Sequence, residues 1–261
     1  MGVVRDYVKE PLQVLSFGAG TQSTAMLILA AEGRLEKPEL VIFADTGSET
    51  AQTYAHVQNW AKPFCEEHQI PFEVVKSKHG SLHEHYLKMR NIPMIGIAKC
   101  TMDFKILPIR RRLREIVGKK NGKVLVQCWL GITTDEETRR QPGDVKWVEN
   151  VFPFLDELKM SRNDCIGLLA DRGVDVGKSG CWLCPYQKKR SWLALKIERP
   201  ELFDFAASME EAVEERLSET GRKLHVGFMG EKVRLRTLQQ IPDLWSFEEK
   251  EVQCSSGACF I

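Results

Sequence analysis

Four apolar runs, spaced by helix-length segments, constrain the fold of this chain more than any other feature. They read QVLSFG (13–18), ELVIFADTG (39–47), FEVVKS (72–77) and KVLVQCWLGIT (123–133). They are largely apolar rather than strictly alternating, ELVIFADTG continuously so, as strands covered on both faces require. Between them, STAMLILAAEG (23–33) predicts a buried helix closed by Gly33. Residues 50 to about 68 carry helical periodicity, and IRRRLREIVG (109–118) predicts a basic helix. The order predicts an α/β fold, a parallel sheet with helices on both faces and ligands at the carboxyl ends of its strands. A glycine turn, Asp45-Thr46 and Gly131-Ile132-Thr133 all fall at such ends and are expected to share one crevice.

After about residue 150 the character changes. SRNDCIGLLADRG (161–173) predicts a helix capped near Ser161 or Asn163. CWLCPYQ follows, then an aromatic-rich helical stretch from about Trp192 to Leu217 and a tail, CSSGACFI, expected to lack regular structure. The 261 residues carry a net charge of +1, so no global electrostatic argument for nucleic acid follows. Lys188-Lys189-Arg190 and Arg110-Arg111-Arg112 remain candidate basic patches. The N-terminus lacks a signal-peptide pattern, and no apolar run reaches the roughly 18 residues of a membrane helix. A cytoplasmic chain without membrane contact is expected, and its eight cysteines then point to metal or redox chemistry rather than disulfides.

The turn itself reads LSFGAGTQST (15–24). Gly18 and Gly20 let the backbone approach an anion and adopt positive φ, and the following helix offers free N–H groups. The same residues also suit an ordinary strand-to-helix turn. GxxxxGK[ST] is absent, and so is the third glycine of GxGxxG, so neither of those phosphate loops applies. Cys181 and Cys184 form a CxxC whose two thiolates can reach one metal or cluster, a redox pair being the alternative. Cys254 and Cys259 flank SSGA, either as metal ligands or as a buried pair. Cys65, Cys128 and Cys165 are expected in the core, and HEHY (83–86) as a polar cluster on a helix surface. His225 has no motif to support a role.

Four segments together resemble the phosphoadenosine-phosphosulfate reductase-like family of the adenine nucleotide alpha-hydrolase (PP-loop) superfamily. GAGTQS (18–23) is similar to its SGGxDS loop: Gly20 and Ser23 match, Gln22 replaces the aspartate, and Ser16 is a candidate for the missing hydroxyl. KCTMDFKILPIRRRLRE (99–115) is similar to C-x4-K-x2-P-[LM]-x-R-x-L through Cys100, Lys105, Pro108, Ile109, Arg111 and Leu113. CWLGITTDEETRR (128–140) is similar to W-x2-G-[LI]-R-x-[DE]-[QE], with Thr133 in place of the arginine. DRGVDVGKSGCWLCPY (171–186) is similar to R-G-Y-P-S-x-G-C-x2-C. A bacterial and phage group with S-[LF]-G-[AG]-G-x-Q-S-T loops and a C-terminal C-x4-C shares most with the chain.

The resemblance implies a Rossmann-like nucleotide-binding domain over residues 1–190 and a helical extension with a cysteine tail over 191–261. It implies an adenine nucleotide, ATP or adenylylsulfate and its 3′-phosphorylated form, bound with Mg²⁺ by Ser16, Gly18, Gly20, Thr21, Ser23, Asp45, Thr46, Gly131 and Arg111. Cys100, Cys181 and Cys184 would hold an iron–sulfur cluster, with Cys254 or Cys259 as fourth ligand or an open iron, and zinc as the rival. The expected function is ATP-dependent, adenylating sulfur transfer to a nucleobase or nucleic acid, with sulfur from a donor protein and Lys105 and Asp45 in the chemistry. The alternatives are sulfonucleotide reduction to sulfite, with Cys254 as nucleophile in place of the family's missing E-C-G-[LI]-H tail, and a non-catalytic nucleotide-binding subunit.

Overall fold

The computed structural model describes residues 7–97, 99–119, 123–221, 226–230 and 233–240; Cys254, Cys259 and His225 lie outside them. Five parallel strands form one sheet in the order β3-β2-β1-β4-β5. They are β1 (Leu12–Ser16), β2 (Leu40–Asp45), β3 (Phe72–Lys76), β4 (Val126–Trp129) and β5 (Val148–Val151). The four apolar runs thus become β1 to β4. The fifth strand, VENV, escapes a reading based on apolar runs because it is short, half polar and on the sheet edge.

Helices cover both faces. The period-two alternation of β1 and β2 sends Leu15, Phe17, Val41 and Phe43 to one face. There they meet α1 (Thr21–Ala31), the α2 (Ala51–His56) and α3 (Lys62–Glu67) pair joined by a π-helical turn at Val57–Ala61, and α8 (Arg162–Asp171). Val14, Leu40 and Ile42 face the other way and pack on Ile109 and Leu113 of α6 (Leu107–Val117). Cys65, Cys128 and Cys165 are buried core residues. Ser161 caps α8, its hydroxyl accepting from Asp164 N–H at 3.2 Å.

A second core lies beyond the sheet. It joins α9 (Lys189–Glu198) and α10 (Pro200–Glu219) to Leu82 and Tyr86 of α4 (Leu82–Lys88) and to Trp182 and Leu183. Short elements complete the chain: α5 (Lys99–Thr101) with a π-helical turn at Met102–Ile106, α7 (Pro153–Asp156), and 3₁₀ turns at Thr134–Arg139 and Leu235–Gln240. HEHY is therefore no surface cluster: Tyr86 is buried, and the His83 ring packs on Trp182 and Phe205.

Candidate functional site

At the carboxyl ends of the strands a cleft of about 510 Å³ opens, as expected at the switch point between β1 and β4 in this strand order. Its floor is the first turn of α1. Gly20 is the N-cap, with φ −107, and Gly20, Thr21 and Gln22 line the cleft. Positive φ falls on Ala19, at +55, and on neither of the flanking glycines. Ala19 is buried, so the packed turn holds a conformation that an alanine resists. Gly20 instead permits a close approach: a Cβ there would meet Ser179 Oγ at 2.6 Å, a hydroxyl that can rotate. Gly131 has the same kind of role, since its Cβ would lie 3.0 Å from Gln22 Cβ and 3.2 Å from Ser23 N. Ser23 Oγ turns back on the Gly20 backbone, donating to its carbonyl at 3.2 Å and accepting from its N–H at 3.3 Å. Ser16 Oγ is buried and has no hydrogen-bond partner among the described residues.

Another wall carries the thiols. Cys100, Cys181, Cys184 and Lys105 all line the cleft. The CxxC loop reaches it by backbone pairing with the segment after β2. Thr50 N–H donates to the Gly180 carbonyl at 2.8 Å and Trp182 N–H to that of Ser48 at 3.0 Å, and Glu49 bridges Cys181 antiparallel. Ser48 Oγ and His83 Nδ1, 2.9 Å apart, fix the same segment from behind. Glu49, which no motif singles out, is buried. It accepts from Thr46 Oγ1 at 2.9 Å and lies 3.8 Å from Lys105 Nζ. Burial alone would lower the Lys105 pKa, but Glu49 and then the three thiols outweigh it and hold the ammonium charged. Burial pushes all three thiols up, Cys181 furthest because Glu49 adds to it, while Lys105 opposes the shift at each. Among the described residues no set of three His, Cys, Asp or Glu side chains is placed to hold one metal ion.

The third wall is the 3₁₀ turn after β4. Arg139, only 4% exposed, donates to Glu136 Oε1 at 2.6 Å, and Gln22 Nε2 donates to Glu136 Oε2 at 3.2 Å. Sequence reasoning placed Gln22 and Glu136 in family-like segments but missed Arg139 and the link among the three, whose one signal is the i,i+3 spacing of Glu136 and Arg139. Of the remaining expected residues, Thr46 lines the cleft. Asp45 is occupied beside it, accepting from Gly47 N–H at 2.8 Å and Tyr54 OH at 2.7 Å and pairing with Lys76 at 3.3 Å. Gly18 is half-buried in the turn, and Arg111 sits on the exposed face of α6; neither lines this cleft.

The family model described as the phosphoadenosine phosphosulfate reductase domain matches residues 13–156, more than half of the chain. The chain belongs to this family. The match covers the whole sheet and the glycine turn and stops before the CxxC. An uncharacterized protein of Methanocaldococcus jannaschii is 27% identical over 199 residues, 72% of this chain and 45% of its own length; the chain thus spans less than half of that curated relative. Two solved structures are similar at low identity. Phosphoadenylyl-sulfate reductase from Candida auris, in a phosphate complex, is 14% identical with a TM-score of 0.47, over 67% of this chain and 83% of its own. The U34-tRNA thiolase NcsA from Methanococcus maripaludis, with its 4Fe-4S cluster, is 16% identical with a TM-score of 0.48, over 96% of this chain and 81% of its own. No described helix is long and apolar enough to cross a membrane.

Proposed function

We propose that the chain is an enzyme that binds ATP in this cleft and uses it for adenylating sulfur transfer to a nucleobase or nucleic-acid acceptor. The observation that carries the reading is that the glycine turn and three cysteines line one cleft. Membership of a nucleotide-handling family supports the nucleotide half. In the reaction, an acceptor carbonyl oxygen attacks the α-phosphorus and pyrophosphate leaves. Sulfide from a donor protein then attacks the activated carbon, and AMP departs with the oxygen. The free N–H groups of α1 and the Lys105 ammonium oppose the charge that develops on the phosphates, and Mg²⁺ would share that charge on pyrophosphate.

The donor set fits an iron–sulfur cluster. Three half-buried thiols near an ammonium are soft ligands with a counter-charge. Zinc, the rival, needs its thiolates around one ion. Cys100, Cys181 and Cys184 would hold the cluster, with Cys254 or Cys259 from the tail as candidate fourth ligand. When bound, it would supply a place for sulfide beside the nucleotide. Such a centre belongs in a reducing compartment, the cytoplasm.

The family match also favours a second reading, sulfonucleotide reduction with Cys254 as nucleophile. The two differ in product. Anaerobically purified protein should contain iron and acid-labile sulfide, absorb near the visible charge-transfer region and release pyrophosphate from ATP when acceptor is present. Sulfite release from adenylylsulfate instead would select reduction, and protein without iron or zinc would refute the cysteine centre.

A further inference from the structure

Two basic runs stand out in the sequence, and the fold treats them differently. The run at Arg110-Arg111-Arg112 is largely spent inside the sheet domain. Arg110 pairs with Asp144, Arg112 holds Glu73 through hydrogen bonds of 2.6 and 2.9 Å, and exposed Arg111 does not line the cleft. The run at Lys188-Lys189-Arg190 opens α9 and brings Lys188 and Arg190 to the cleft. Two cations join them from other segments: Arg162 at the start of α8 and Lys178 from the loop before the CxxC. Lys178 Nζ meets Ser191 Oγ at 3.3 Å, which ties that loop to α9. Arg162, Lys178 and Arg190 are all exposed, so they form the rim of the cleft and not its floor.

The charge at the cleft is therefore unlike that of the chain. Six basic residues line it against two acidic ones, Asp135 and Glu136, whereas the whole chain carries +1. Glu136 is taken by Arg139, Lys105 is answered by buried Glu49, and Asp135 sits at Arg162, accepting from its backbone N–H at 2.8 Å. The rim stays positive after these pairings. Apolar groups lie beside it. Met94 and Tyr186 line the same cleft, and the Tyr186 hydroxyl accepts from Gly96 N–H at 3.1 Å. That bond holds the loop between α4 and α5, which exposes Met94, Ile95 and Ile97. Exposed cations next to an aromatic ring and apolar side chains suit a single nucleic-acid strand, whose phosphates and unstacked bases need both. An acidic peptide would use only the cations. A cleft of about 510 Å³ takes a nucleotide-sized ligand and not a duplex, so a base that reacts there must leave its stack.

We propose that Arg162, Lys178 and Arg190, together with Tyr186, form a docking surface for single-stranded nucleic acid at the rim of the cleft. The cations take backbone phosphates and the Tyr186 ring takes an unstacked base, so the acceptor is a base carried on a strand and not a free nucleobase. The inference rests on the reading of the cleft as a site of sulfur transfer and names the acceptor class for it.

Fluorescence anisotropy on the full chain tests it, with short labelled single strands of mixed-sequence RNA and DNA and the matching blunt duplexes over a salt series. The RNA and DNA arms distinguish which sugar the strand carries. The parent should bind a single strand more tightly than its duplex, with affinity falling steeply as salt rises. The triple variant Arg162→Ala/Lys178→Ala/Arg190→Ala changes only exposed residues and should fold. It should bind the strand roughly tenfold or more weakly at about 0.1 M salt and flatten the salt slope by about 2, the change for three lost phosphate contacts. Its ATP affinity, read by calorimetry, should match the parent's. Tyr186→Ala should weaken strand binding roughly five- to hundredfold at an unchanged slope, and Tyr186→Phe should restore it. A triple variant that binds the strand as Arg111→Ala does, a parallel fall in ATP affinity, equal binding of the duplex, or equal competition by polyglutamate would each overturn the surface. Tyr186→Phe as weak as Tyr186→Ala would overturn the stacking contact. A parent that binds ATP but neither strand overturns this inference and leaves the nucleotide reading standing. A parent that binds a strand but not ATP keeps the surface and removes the reading it rests on.

Discussion

Gly20 lets Ser179 approach the glycine turn, so the cysteine-bearing loop rests on the floor of the cleft at that residue. The contact at 2.6 Å is to a hydroxyl that can rotate, with Ser179 Cβ at 3.7 Å. Gly20→Ala should therefore cost under about 1 kcal/mol, within the range of a tolerated small change. Gly20→Val cannot be relieved by rotation and should lower ATP affinity at least tenfold; calorimetry and thermal melts on both variants check this. Gly131→Ala meets a backbone nitrogen at 3.2 Å, which moves only with α1, so a cost of about 1–3 kcal/mol is expected from overpacking. Two basic residues should separate in a salt series. Lys105→Ala should lose nucleotide affinity, while Arg111→Ala, on the exposed face of α6, should not. Equal losses would mean that a remote basic field, not the cleft, attracts the ligand.

At the level of elements, the sheet was written openly in the sequence and the walls of the site were not. Apolar runs identify parallel strands packed between helices, and β1, β2 and β4 are buried as that reading requires, whereas β3, on the sheet edge, leaves Val74 exposed. The polar edge strand β5 carries no such pattern. Glycine and cysteine positions were legible through spacing, and the buried partners were not. Glu49 and Arg139 look like surface charges until loops distant in sequence close over them. The positive φ expected at glycine falls on Ala19 because packing fixes the turn. The segment that carries the thiols has its own test. Cys181→Ser and Cys184→Ser should keep the fold, read by circular dichroism, and lose iron; retained iron in both would remove them from the centre. The start of α8 makes a pH prediction. The Asp135 carboxylate accepts from Arg162 N–H at 2.8 Å. Burial raises its pKa, but the hydrogen bonds from Arg162 N–H, Thr133 and its own backbone N–H, with the Arg162 charge, together outweigh that and leave it lowered. A lowered carboxyl stabilises above its unfolded pKa and loses that stabilisation as pH falls through the folded value. Parent protein should lose stability on acidification below about pH 4, and Asp135→Asn should lose less over the same interval.

Across the whole molecule, two cores meet at the cleft, one beneath the sheet and one built by the C-terminal helices. Trp192 is fully buried in the second, its ring tilted against that of Phe228 with centroids 5.0 Å apart. Trp192→Ala should cost about 3–5 kcal/mol and loosen Trp182 and Leu183, which share that core, before it affects the sheet. Hydrogen exchange would reveal equal loosening in both regions if the cores were one cooperative unit. The stitches between the segment after β2 and the CxxC loop also set a schedule. Gly180 N–H reaches Thr53 Oγ1 at 3.1 Å across 127 residues of chain, whereas β1 and β2 are near neighbours in sequence. Closing so long a loop is entropically late. During refolding, pulse-labelled amides of Val41 should be protected before those of Thr50 and Trp182. The floor of the cleft is then complete before the thiols arrive, so a cluster of the kind proposed above would be loaded onto a chain that is already almost folded.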